Sequence, residues 1–248
     1  MDKQVFEEFT DDANSVGALH GSARGERNIG GRLRAMRRLA PLSGQRLLDV
    51  GCGTGEYTNR MAPDFETVDA IDIEPERLEL FATRHPLNVT VKSMSANDLD
   101  YPNETFDVVT MVEVLEHLSE PRVALSEIQR VLKVGGKLLL TTPNRAWPLE
   151  QHGVLLGKRR YPGPIAPGLV WIKPLHRRFS DANAFTKTDL DRLAGQSGLE
   201  LDEVTYMMPP LDSLTAGSRV HQILDRAELS PLRRLGQTIV GCMTREPQ

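Results

Sequence analysis

Three groups of residues in this chain have the types and spacing of a chemical site. The first is Leu47-Leu48-Asp49-Val50-Gly51-Cys52-Gly53-Thr54-Gly55, an apolar run that breaks into glycines. Such a turn lets a ligand approach the backbone where N–H groups at a helix start are free. Asp49 precedes the turn, and Asp72 lies where a second strand should end, placed to accept ribose hydroxyls. The plainer role for Asp72 is to cap the helix that Pro75 begins. The second group is Glu113-Val114-Leu115-Glu116-His117. On a helical turn, positions i, i+3 and i+4 share one face, so two carboxylates and an imidazole would converge. They would then ligate Mg²⁺, Mn²⁺ or Zn²⁺, or leave His117 as a base. The third group is scattered: His20, His152 and His176. A lone histidine is more often structural than catalytic, and His117 is the best placed of the four.

The elements that must position these groups follow from periodicity. Ile29, Leu33, Met36 and Leu39 predict a helix over about Gly25–Leu39, and Pro41 and Gly44 break the chain before a strand at Arg46–Val50. The glycine turn leads into a helix at Glu56–Met61. Further strands are expected at Phe65–Ile73, Asn88–Met94, Phe106–Met111 and Lys137–Thr142. Pro75 suits the first turn of the helix ending near Arg84, and Ser119 can cap another that Gly135-Gly136 ends. Strands alternating with helices imply a doubly wound, mostly parallel sheet covered on both faces. The rhythm stops after Pro143, and residues 144–185 are too long for an ordinary connection. It resumes with a capping-box-like start at Thr186 and Asp189 and a helix ending at Gly198. Closing strands are expected at Leu199–Met207 and Gln237–Thr244, with a helical segment around Val220–Ala227 between them.

At 248 residues the chain suits one α/β domain with a small cap. A net charge of −4 gives no global field for nucleic acid or anionic membranes. Two cysteines, Cys52 and Cys242, are too few for a disulfide framework, so a reducing cytoplasm is the expected setting. The start, Met1-Asp2-Lys3-Gln4, has no apolar signal-like core, and no apolar run reaches about 18 residues. Peripheral membrane contact stays compatible with this composition.

Two ligand classes compete for the glycine turn. A dinucleotide would want Gly-x-Gly-x-x-Gly, but Glu56 stands three after Gly53. S-adenosylmethionine has no phosphate and carries an ammonium and a sulfonium, so nearby acids favour it. Leu47–Thr58, Ala70-Ile71-Asp72-Ile73, Thr105-Phe106-Asp107-Val108-Val109 and Val114-Leu115-Glu116-His117-Leu118 resemble, in order, the motifs of class I S-adenosylmethionine-dependent methyltransferases. The resemblance covers roughly residues 20–200 and implies a seven-stranded, Rossmann-like sheet. It implies that Gly51, Gly53 and Gly55 face the methionine part, Asp72 the ribose, and Ala96 and Asn97 the adenine. Val112 and Glu113 would line the pocket, Asp49, Cys52 and Ile73 would belong to the same set, and Arg27 would meet the cofactor carboxylate. Ser95 stands where many relatives carry an acid that contacts the adenine amino group.

Methyl transfer is an in-line displacement at an activated carbon, so the protein mainly aligns the nucleophile and excludes water. An oxygen nucleophile also needs its proton removed by a base or its pKa lowered by a metal. The Glu-x-x-Glu-His shape resembles the O-methyltransferases of ubiquinone biosynthesis and the small-RNA 3′-terminal 2′-O-methyltransferases, some of which hold a divalent ion. The favoured reading is metal-free O-methylation of a small or lipid-linked metabolite, with S-adenosylhomocysteine as product and His117, His152 and His176 as candidate catalytic residues. Residues 1–30 and 144–185 would form an N-terminal cap and a lid over the acceptor. Gly157-Lys158-Arg159-Arg160-Tyr161 and Arg177-Arg178 keep an RNA- or N-directed activity open. A third reading, of another class, is a catalytically silent cofactor-binding partner protein. Oligomeric state and acceptor identity are not legible.

Overall fold

The computed structural model describes residues 23–156, 159–161, 166–180, 182–208 and 231–247. Helix α1 (Ala23–Leu39) precedes β1 (Gly44–Val50), α2 (Glu56–Met61), β2 (Phe65–Asp72), α3 (Pro75–Ala82) and β3 (Val89–Ser93). Then come β4 (Phe106–Val112), α4 (Pro121–Val131) and β5 (Leu132–Pro143). After a hairpin of β6 (Val154–Leu156) and β7 (Arg159–Tyr161), α5 (Lys173–Phe179), α6 (Lys187–Gln196), β8 (Glu200–Met207) and β9 (Thr238–Thr244) complete the chain.

Seven strands form one sheet in the order β3-β2-β1-β4-β5-β9-β8. The pairs β1·β2, β1·β4, β2·β3 and β4·β5 are parallel, while β9 runs antiparallel to both β5 and β8. Successive side chains of a strand face opposite sides, so Leu47 and Leu48 belong to different cores. On one side Leu48, Val50, Val109, Met111 and Leu140 pack against α4 and α6 through Leu125, Ile128 and Leu190. On the other, Leu47, Val68, Ala70, Val108 and Leu139 meet Ile29, Leu33 and Met36 of α1 and Phe81 of α3. Strands buried on both faces read as the near-continuous apolar runs seen in the sequence.

Local chemistry explains the element ends, and corrects two of them. Pro75 opens α3, and Thr186 and Asp189 make the full reciprocal capping box of α6. Ser119 does not cap α4. Glu120 occupies that position without a side-chain bond, and Pro121 begins the helix, its missing N–H being one that needs no partner there. Nor do Gly135 and Gly136 end α4. The chain passes into β5 at Leu132, which pairs with Phe106. The glycines lie in an irregularity that moves the register from Phe106–Leu132 to Val108–Lys137. The expected helix around Val220–Ala227, residues 1–22 and His20 lie outside the described residues.

Candidate active site

Parallel β1, β2 and β4 end together: Val50 is in register with Ile71 on one side and Met111 on the other. The glycine turn, Asp72, the Ser95–Asn97 turn and Glu113 therefore share the carboxyl edge of the sheet, where doubly wound folds bind ligands. Gly51 and Cys52 donate their N–H groups to the Ile71 carbonyl at 2.8 and 3.0 Å, locking the turn onto β2. Gly51 and Gly55 have φ of 71° and 85°, and a Cβ on either would overlap Val114 or the Phe81 ring. Gly53, at φ 54°, has nothing within 4 Å of where its Cβ would be. Open space against bare backbone is what a ligand lying along the turn requires.

The acids around this space differ in what holds them. Asp72 is buried; its Oδ2 accepts from Gly53 N at 2.9 Å and its Oδ1 from Glu74 N at 3.0 Å. It thus ties the turn to the residue before α3 but does not cap the helix, whose N-cap is Glu74 without a side-chain bond. Asp49 accepts the hydroxyls of Thr58 at 2.6 Å and Thr110 at 2.7 Å. Burial pushes its carboxyl up to about 6 despite those two bonds, and Asp72 adds to the rise. Burial also pushes the Cys52 thiol well above its ordinary value, with Asp49 and Asp72 reinforcing it, which makes the thiol a poor nucleophile. Ile73 is exposed and Ala96 buried. Asn97 Oδ1 is a buried acceptor with no hydrogen-bond partner, as a site awaiting a donor would leave it. Val112, at the end of β4, is half-buried.

The Glu113–His117 turn departs from the helical expectation. Glu113 sits at φ 55°, and only Leu115–His117 form a short 3₁₀ turn. Glu116 and His117 cluster without Glu113, which takes its partners on β5 and α1. Its Oε1 accepts from Thr141 Oγ1 at 2.7 Å, and its Oε2 lies 3.3 Å from Arg32 Nη2. Arg32 also donates from Nη1 to the Tyr57 hydroxyl at 3.1 Å. Burial disfavours the charge on Arg32, but Glu113 and Tyr57 outweigh it and hold the guanidinium ionised. The side chain of Arg27, on the same helix, lies outside the described residues. Arg32 and Tyr57 were not singled out from sequence. The available signal was Arg32's position on the apolar stripe, three after Ile29 and four before Met36.

Glu116 is fully buried rather than solvated. Its Oε2 accepts from Thr142 Oγ1 at 3.3 Å, and its Oε1 has no hydrogen-bond partner. Burial, then the Glu113 charge, raise its carboxyl well above the usual range. His152 closes on it from the segment after β5, with Nε2 3.8 Å from Glu116 Oε1. The His152 ring stands edge-on to His117 at a centroid distance of 5.0 Å. One ligand atom each from Glu116, His117 and His152 lie within 4.8 Å of one another, a donor set compatible with a divalent cation. His176 does not join them; its Nε2 bonds Glu150 Oε2 in a buried pair. A cavity of about 240 Å³ adjoins this turn, lined by Leu118, Ser119, Val170, His176, Arg177 and Phe185 among others. A larger hollow of about 580 Å³ along β2 and β3 contains Arg46, Asp69 and Lys92, already ion-paired, and none of the site residues.

Comparisons with known proteins agree with this geometry. Residues 48–140 match the model of a methyltransferase domain family. The ubiquinone biosynthesis O-methyltransferase of Thiobacillus denitrificans is 32% identical over 182 residues, covering 71% of this chain and 73% of that protein. Its Xanthomonas axonopodis counterpart is 39% identical over 178 residues, 69% of each chain. An S-adenosylmethionine-dependent methyltransferase from Mesorhizobium loti shares the fold, with TM-score 0.63 at 18% identity over 92% of this chain and 100% of that one. The chain belongs to the S-adenosylmethionine-dependent methyltransferases, as a relative of the ubiquinone-biosynthesis O-methyltransferases.

Proposed function

We propose that this methyltransferase methylates an oxygen of a small or lipid-linked acceptor held beside Glu116, His117 and His152. The observation that carries the reading is the meeting of two imidazoles with a buried, unsatisfied carboxyl next to the cofactor edge. The names of the relatives support oxygen as the methylated atom. Exposed Trp171, Ile172 and Leu175, at the start of α5, suit an acceptor with an apolar tail, or contact with a membrane surface. No helix among the described residues is long and apolar enough to cross a membrane.

S-adenosylmethionine, when bound, supplies a methyl group already activated by its sulfonium. Gly51–Gly55 would bed its methionine part, Asp72 its ribose and Asn97 Oδ1 its adenine amino group, with exposed Ile73 against the base. Asp49, Asp72 and Glu113 would set the field around the ammonium, and Arg32 would meet the carboxylate. His117 accepts the acceptor's proton on a ring nitrogen, and Glu116 and His152 hold the oxygen in line. Residues 144–185 exclude water from above.

Calorimetry tests the cofactor assignment: the wild type binds S-adenosylhomocysteine, and Asp72→Ala weakens it by roughly 10- to 150-fold, the value of a charge-assisted hydrogen bond. Unchanged affinity in the variant removes Asp72 from the ribose. A second reading rests on the same three side chains. Their donor set would hold a divalent cation, whose chemistry is to lower the pKa of the acceptor hydroxyl. The metal-free reading is preferred because three donors seldom fill a coordination sphere and Glu113, the fourth candidate, is engaged by Thr141 and Arg32. It predicts that exhaustive chelation spares methyl transfer, while His117→Ala slows it roughly 10²- to 10⁴-fold. Activity lost to chelator and restored by Mg²⁺ or Mn²⁺ selects the metal.

A further inference from the structure

Behind His152 lies a second pair of titratable groups that the chemistry above does not use. Glu150 is 2% exposed and His176 6%. They come from the loop after β5 and from α5, and meet through Glu150 Oε2 and His176 Nε2. The other carboxylate oxygen is committed to His152: Oε1 accepts His152 N at 2.9 Å and lies 3.9 Å from its Nδ1. The intervening Gln151 is clamped separately. Its Nε2 donates to the Gln237 carbonyl at 2.8 Å, and its Oε1 accepts from Gln237 Nε2 at 2.7 Å.

His152 therefore has a carboxyl group on each side, Glu150 toward Nδ1 and Glu116 toward Nε2. A buried carboxyl–imidazole pair is a costly brace, since an apolar pair of similar volume stabilises as well or better without the desolvation penalty. What the carboxylate adds is direction. One oxygen engages His176, and the other accepts the backbone N–H of the site-lining histidine and faces its ring Nδ1 from 3.9 Å, so the carboxylate sets where that residue stands.

We propose that Glu150 and His176 are positioning residues that hold the His152 ring over Glu116 and His117. This rests on the reading of His117 and His152 as the acceptor site. Glu150 orients His152 directly, and His176 keeps Glu150 from turning toward solvent.

The test uses the full chain, ¹⁵N-labelled at histidine and loaded with S-adenosylhomocysteine. Glu150→Gln and His176→Leu should each move the ring-nitrogen signals of His152 while S-adenosylhomocysteine affinity stays as in the wild type. His176→Leu removes only the partner of Glu150 and guards against a fold defect in the first variant. With a water-soluble catechol as acceptor, Glu150→Gln should lower kcat roughly 10- to 100-fold, the cost of a misplaced group, at unchanged KM for the cofactor. In a His152→Ala background the same change should have no further effect. Unmoved His152 signals in both variants, or an equal kcat loss in both backgrounds, would overturn the proposal. Full activity in both His117→Ala and His152→Ala would instead sink the acceptor-site reading, while the ring signals still report whether Glu150 sets His152.

Discussion

At the scale of single residues, the site is built from groups whose ordinary chemistry burial has changed. Asp49 is the clearest case. Its carboxyl rises from 3.8 to about 6 because burial outweighs the two threonine hydroxyls that support it. The native state therefore holds this proton more tightly than the unfolded chain does. The stabilising contribution is complete below about pH 3.8 and is lost as pH rises through about 6, a change of about 3 kcal/mol. Asp49→Asn removes that dependence. Its stability relative to the wild type should improve by roughly 2 kcal/mol between pH 4 and pH 7.5, read from urea unfolding at each pH. A constant difference across that range would mean that the charge on Asp49 is compensated in the fold.

At the scale of elements, the glycine turn is held by what its neighbours leave no room for. Gly55 sits at φ 85° and faces the Phe81 ring of α3, so this one position couples the glycine turn to the packing of α3 on β2. Gly55→Ala combines left-handed strain with an overlap against a buried ring, together roughly 3 kcal/mol or more. Thermal unfolding should show that loss, whereas Gly53→Ala, with open space at its Cβ, should keep most stability and lose cofactor affinity. Equal destabilisation by the two changes would separate Gly53 from the ligand face. The segment after β5 is likewise more ordered than its prolines and glycines suggest. It contains a hairpin and a helix, and Arg145 ties its ends by bonding Asp189 Oδ2 at 2.7 Å and the Ala184 carbonyl.

For the whole molecule, the proposal is that the sheet provides the edge on which the cofactor lies and that the 144–185 segment walls the acceptor side. The Glu150–His176 pair joins α5 to the loop after β5, while among the described residues β6 and β7 pair only with each other. Acceptor-dependent change should therefore concentrate in the hairpin. Hydrogen exchange with S-adenosylhomocysteine plus a hydroxyl-bearing acceptor should protect amides of residues 154–156 and 159–161 beyond the protection from S-adenosylhomocysteine alone. Amides of α5 should change less. Uniform protection across the segment would make it a static cover rather than a lid.

The order of strands and helices, the glycine turn and Asp72 were legible in the sequence because each rests on local rules: apolar period, turn chemistry and helix starts. The same rules located Glu116, His117 and His152 as chemically capable residues. They did not reveal that Arg32 crosses from α1 to Glu113, that Tyr57 supports it, or that Glu150 pairs with His176, because these partners are far apart in the chain. Nor did they show that Glu113 turns away from His117. A single left-handed backbone angle at Glu113 undoes the helical spacing that would have gathered all three side chains. Only the packing of β4 against β5 decided which carboxylate would meet Thr141 and which would be buried beside Thr142 and His152.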